Sequence, residues 1–176
     1  MAEPGQVLEN PQTGERLVFH ETSESTGGEL LRFELVFRPR GYTAIKHVQP
    51  NQEERHDVLE GRLGIEVDGR RQTLGPGESV TFPPGVVHRL FAVDDDLVRV
   101  RFEIRPAQRA EYLIEAFFRL ASSGRVSRRG YPNPLQLAVL ARTYRDEGHP
   151  TRLPFALQQA AAALLAPLGR RLGYRP

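Results

Sequence analysis

The sequence predicts a mainly β protein that ends in a short helical extension. Three observations carry the prediction. Apolar and polar residues alternate between Glu15 and Ile104, glycine and proline turns punctuate the same stretch, and past Arg105-Pro106 the apolar period lengthens to that of a helix.

The strands follow in order. An apolar run from Arg16 to His20 precedes the turn residues Thr26-Gly27-Gly28. In Leu30 to Phe37, residues Leu31, Phe33, Leu35 and Phe37 form one face, with Arg32 and Glu34 on the other. Glu60-Gly61 marks a reversal, and Asp68-Gly69 joins the two alternating runs of RLGIEVDGRRQTL, a hairpin signal. Gly75-Pro76-Gly77 marks the next turn, and Leu97 to Ile104 alternates again, Val98, Val100, Phe102 and Ile104 opposing Arg99, Arg101 and Glu103. About ten short strands of this kind read as a barrel or a sandwich.

Three helices are expected beyond residue 105. Ala110, Leu113, Ile114, Phe117 and Ala121 make the first stripe, ended by Ser122-Ser123-Gly124. A basic loop, GRVSRRGYP, leads to Asn133-Pro134, an N-cap residue followed by proline at the first helical position, and Leu137, Ala138, Ala141 and Tyr144 line the second stripe. The third helix, from about Pro154, carries Leu157, Ala161, Leu164, Leu165, Leu168 and Leu172, with a kink expected at Pro167. Burial of Leu113, Phe117, Leu164 and Leu168 is expected to hold this tail in place.

With 176 residues the chain can bury one sizeable core. Cysteine is absent, which excludes disulfides, thiolate ligation and a cysteine nucleophile. No phosphate-cradling glycine loop or Gly-x-Ser-x-Gly elbow occurs, so kinase and hydrolase readings are poor. The first residues, MAEPGQVLENPQTGER, lack the apolar centre of a signal peptide, and cytoplasmic location is the default expectation. The net charge of +2 conceals an asymmetry: residues 1–104 hold 12 Lys+Arg against 18 Asp+Glu, a net of −6, and residues 105–176 hold 12 against 4, a net of +8. Docking of the basic tail on the acidic barrel is the economical reading. A nucleic-acid arm built on Arg119, Arg125, Arg128 and Arg129 lacks aromatic interleaving, and an interfacial membrane helix ranks behind core packing.

The chemistry concentrates in two segments, GYTAIKHVQPNQEERHDVLEG at Gly41 to Gly61 and GESVTFPPGVVH at Gly77 to His88. Strand alternation turns His47 and Gln49 to one side, and Glu54, His56 and Val58 to one side, so a closed barrel brings His47, Gln49, Glu54 and His88 around one point. Imidazole nitrogen and carboxylate oxygen suit divalent Fe, Mn, Ni or Zn; the neutral amide of Gln49 is a weaker donor. Only the spacing to Gly61 favours Glu54 over Glu53. A metal-free, merely polar barrel is the alternative. His56 is either a support for the site or a satisfied core histidine, and His20 and His149 are expected on the surface.

These segments resemble the paired motifs of the cupin superfamily. Gly41, His47, Glu54 and Gly61 match the first motif, with Gln49 in place of its second histidine; Gly77, Pro83, Gly85 and His88 match the second, with Ala92 in place of its final asparagine. The resemblance implies a double-stranded β-helix, or jelly-roll, barrel over residues 1–105, with motifs at 41–61 and 77–92, and leaves 106–176 as an α-helical extension. It implies His47, Gln49, Glu54 and His88 as metal ligands, one divalent transition metal, and a small oxygen-rich ligand or substrate. The function so implied is a metal-dependent oxygenase, isomerase or cyclase, with Glu54 also a candidate catalytic base if burial raises its pKa. The alternative is a non-catalytic small-molecule-binding or regulatory module. Cupins commonly pair through barrel strands, so a homodimer is expected, with Arg16 to His20 paired across the interface; nucleic acid and membrane are not expected partners.

Overall fold

The computed structural model describes residues 2–38, 45–127 and 130–176. Gly41 of the first motif and Arg128 and Arg129 of the basic loop lie outside the described residues. Two antiparallel sheets enclose one core. The first runs in the order β1 (Val7–Asn10), β2 (Glu15–Glu21), β3 (Leu31–Phe37), β10 (Val98–Arg105), β5 (Glu53–Glu60) and β8 (Ser79–Phe82). The second runs β11 (His149–Pro150), β4 (His47–Val48), β9 (His88–Ala92), β6 (Leu63–Val67) and β7 (Arg70–Leu74).

The alternation read in the sequence is the division between inside and outside. Leu31, Phe33, Leu35 and Phe37 are buried, and the β3–β10 register sets Phe33 opposite Phe102 and Leu35 opposite Val100. The rings of Phe33 and Phe102 stack at 4.8 Å, an arrangement worth about 0.5–1.5 kcal/mol beyond area burial. On the outer face Arg32 pairs with Glu103 at 2.8 Å and Arg101 with Glu34 at 3.2 Å. Asp68 and Gly69 both take positive φ in the β6–β7 turn, as a two-residue hairpin of matching twist requires. Gly61 has φ +75°, and a Cβ there would stand 2.3 Å from the Leu97 carbonyl oxygen, so glycine is the only residue that fits between β5 and β6.

The run Arg16 to His20 is not free to pair across a dimer: it lies in β2, and β1 and β3 of the same chain occupy both of its edges. In the tail, α1 (Ala110–Ser122) adds Ala110, Ile114 and Phe118 to the barrel core and turns Leu113, Ala116, Phe117 and Leu120 toward Leu140 and Tyr144. α2 (Pro134–Thr143) is capped as expected, the Asn133 side chain accepting from the Gln136 N–H at 3.0 Å.

α3 (Phe155–Arg171) continues through Pro167 and packs on α2, but with the opposite face to the one expected. Ala162, Ala166 and Gly169 are buried, whereas Leu164 is 79% and Leu168 49% exposed. Small residues win the contact because they let the helices approach: a Cβ on Gly169 would meet Val139 Cγ2 at 2.9 Å and the Leu135 carbonyl oxygen at 3.0 Å. The opposite charges of barrel and tail meet little: among the described residues the one salt bridge between residues 1–104 and 105–176 is Arg105 with Glu103 at 3.2 Å, at the junction itself, and the rest of the contact is apolar packing and hydrogen bonds.

Candidate metal centre

His47 and His88 sit directly opposite each other on β4 and β9, and Glu54 reaches them from β5 in the facing sheet. Register therefore assembles the site. One ligand atom from each of the three side chains lies within 4.8 Å of the other two. Glu54 Oε2 is 3.1 Å from His88 Nε2 and 3.9 Å from His47 Nε2. Donors around one ion at bond lengths of ~2.1 Å stand about 3.0–3.4 Å apart for angles of 90–109°, so only the His47 approach must shorten. Glu53, the neighbour that sequence alone barely separated from Glu54, is exposed.

Both imidazoles are aimed by the backbone. Nδ1–H of His47 donates to the Ile45 carbonyl at 2.8 Å, and Nδ1–H of His88 to the Val86 carbonyl at 3.1 Å. Each ring nitrogen left over, Nε2, faces Glu54, and fixing the tautomer in this way is how proteins prepare imidazoles for metal. His88 Nε2 stands 3.1 Å from Glu54 Oε2, a separation that suits two donors sharing one divalent cation.

The electrostatics fit the same reading. Burial pushes the Glu54 carboxyl upward, as anticipated, but the adjoining imidazoles, His56 first, reverse the sign and hold it well below the usual carboxylate range. Glu54 is thus ionised, the form in which a carboxylate can bind a cation, and the premise of a raised pKa for a base at this position does not hold. Burial lowers the His47 pKa, against the opposing pull of Glu54, which favours the neutral, metal-binding imidazole.

His56 lies two residues beyond Glu54 on the same face of β5 and is fully buried. Its Nε2 is 2.9 Å from Glu54 Oε1, off the line of an aligned hydrogen bond, and its Nδ1 has no partner among the described residues. Its ring packs against Phe82 at 5.2 Å and Phe102 at 4.4 Å. His56 therefore fills the supporting place that its strand phase allowed. Gln49 lies one residue past β4 and is half-buried; its carbonyl accepts the Gly85 N–H at 2.8 Å, and among the described contacts its amide does not join the cluster. His20 is exposed as expected.

The tail frames this site, which composition and motif spacing did not show. His149, expected as a surface residue, pairs through β11 with β4 and stacks on Phe155 at 4.3 Å. Gln52, buried just ahead of Glu54, donates to the carbonyls of Pro106 and Ala107, each at 3.1 Å, and to buried Glu147 at 3.3 Å. The signal available was the helix-breaking GHP stretch after Glu147, a place where a short strand can form.

A family model described as a cupin domain matches residues 33–104. The barrel has the cupin fold. Among solved structures, the cupin fold here is similar to an RmlC-like cupin from Shewanella frigidimarina, with a TM-score of 0.51 and 21% identity over 63% of this chain and 92% of that one. KdgF from Halomonas sp. is similar with a TM-score of 0.48 and 19% identity over 63% of this chain and 89% of that one. EutQ from Clostridium difficile follows at 0.46 and 24%, over 57% and 69%. At these identities the likeness concerns the cupin fold. No curated protein matches the chain in sequence.

Proposed function

We propose that the cupin barrel binds one divalent transition metal through His47, Glu54 and His88, with the amide oxygen of Gln49 as a fourth and weaker donor, and that a small oxygen-rich organic molecule docks beside it. The observation that carries this reading is the convergence of two backbone-anchored imidazoles and one ionised carboxylate within 4.8 Å. The metal, when bound, supplies Lewis acidity or, for Fe, Mn or Ni, one-electron chemistry. The chain's own residues orient the ligand: Glu54 offers the single negative charge, while Phe82, Phe102 and His56 keep water from its far side. The reaction types that fit are oxygenase, isomerase and cyclase chemistry, in which Glu54 is the nearest group able to accept a substrate proton. A non-catalytic binding module is the second reading, and one observation favours it: Gln49 replaces an imidazole with a poorer donor.

Elemental analysis of protein purified without added metal, followed by titration with Mn²⁺, Fe²⁺, Ni²⁺ and Zn²⁺, tests the premise. Stoichiometric binding that His88→Ala abolishes supports it; no binding of any of the four ions overturns it. A turnover screen on oxygen-rich substrates then separates enzyme from binding module. We also propose a homodimer, now confined to an open sheet edge such as β1 or β7, which light scattering tests directly.

A further inference from the structure

Helix α3 is apolar on nearly every side, yet among the described elements α2 is the one it packs along, with β11 touching only its first turn. From Phe155 to Gly169 it carries no charged residue. A helix of that composition is ordinarily enclosed by protein or lipid. Here the side toward α2 uses Ala162, Ala166 and Gly169, and the polar side chains also turn inward: the Gln158 amide donates to the Pro150 and Leu153 carbonyls at 2.7 Å each, and Gln159 to the Ala141 carbonyl at 3.4 Å. What remains outside is leucine. Leu157 is 60%, Leu164 79%, Leu168 49% and Leu172 62% exposed, and at 100° per residue they fall on one side of the helix. An apolar strip of this kind on a protein surface marks a docking site.

Charge decides what docks there. Between Gly148 and Pro176 there are four arginines, Arg152, Arg170, Arg171 and Arg175, and no aspartate or glutamate. Arg171 follows Leu168 by three residues and Leu164 by seven, so it borders the leucine side itself. If α3 packed against α3 of a second copy, an antiparallel pair would bring Arg170 and Arg171 onto Arg152, and a parallel pair would bring them onto each other; neither has an acidic partner on the helix. A surface that is apolar below and anionic above satisfies both the leucines and the arginines. No helix among the described residues is long and apolar enough to cross a membrane, so α3 would lie along the surface. We propose that the outward face of α3 is a docking surface for an anionic lipid bilayer, with Leu157, Leu164, Leu168 and Leu172 in the acyl boundary and Arg171 at the headgroups, while Arg170 turns back to the Thr143 hydroxyl at 3.3 Å.

Flotation of the full-length protein with vesicles of phosphatidylcholine alone, and with added phosphatidylglycerol, tests this. Binding is expected to the anionic vesicles, at least tenfold tighter than to the neutral ones, and to weaken with salt. The double variant Leu164→Ser/Leu168→Ser, at positions that touch solvent in the fold, should bind at least tenfold more weakly with an unchanged circular dichroism spectrum. Arg171→Gln, at the arginine that borders the leucines, should weaken binding to the anionic vesicles about fivefold and leave binding to the neutral ones unchanged. The chain has no tryptophan, so Leu168→Trp gives a single reporter whose emission should shift to the blue with anionic vesicles. The proposal is overturned if the protein does not float with anionic vesicles, if the leucine variant floats as well as the parent, or if sedimentation shows a dimer that the leucine variant dissociates while vesicles are ignored. Metal binding at the barrel is a separate measurement, and either result there leaves these outcomes readable.

Discussion

Glu54 faces two ways. Its Oε2 looks toward His47 and His88, and its Oε1 toward His56. Replacing His56 with phenylalanine keeps an aromatic ring between Phe82 and Phe102 but frees Oε1, and metal affinity is expected to drop about 10–100-fold, as for other groups that orient a ligand. Titration calorimetry reads this, and thermal unfolding without added metal should also show a lower melting temperature, since the buried Glu54 carboxylate loses the imidazole 2.9 Å from its Oε1. A second expectation concerns pH. Burial depresses His47 below the ordinary histidine value of 6.5, and its neighbours depress Glu54 below the ordinary 4.5. In both cases the unfolded chain binds more protons than the folded one as pH falls, so acid destabilises the metal-free protein, first below pH 6.5 through His47 and then below pH 4.5 through Glu54. The melting temperature followed from pH 8 to pH 4 should fall in that order, and His47→Gln should flatten the upper part.

Helix packing in the tail depends on what is missing from a side chain. Gly169 lets α3 approach within contact of Leu135 and Val139, and Gly169→Val must push the helices apart at a cost of about 1–3 kcal/mol. Denaturant unfolding measures it, with the effect absent from a neighbouring exposed change such as Ala163→Val. Asn133→Ala removes the α2 cap bond and should cost ~1 kcal/mol in the same assay.

For the whole molecule, the start of the tail shares the barrel's core. Ala107, Ala110, Ile114 and Phe118 complete the barrel core, and β11 covers the free edge of β4, which carries His47. Truncation after Ile104 is therefore expected to lower the melting temperature by at least ~10 °C, or to leave the barrel insoluble, and to weaken metal binding in whatever remains folded. A truncated barrel that melts with the parent and binds metal equally well would show that the tail is an independent appendage.

The sequence by itself determined the barrel and most of its site. Alternation in β3 and β10 is a local property of strands, so Phe33 and Phe102 could be assigned to the interior without knowing what they meet. Motif spacing likewise placed His47, Glu54 and His88 on inward positions, because period-two phase carries over short distances. The tertiary structure decided the rest. Whether Gln49 joins its neighbours depends on where the chain leaves β4, whether Glu54 is raised or lowered depends on imidazoles from three strands, and β11 exists only because β4 offers it an edge. The tail shows the limit most clearly: when nearly every side of α3 is apolar, periodicity cannot say which side is buried. The partner chose the small residues of Ala162, Ala166 and Gly169, since van der Waals contact rewards close approach more than it rewards large side chains held at a distance.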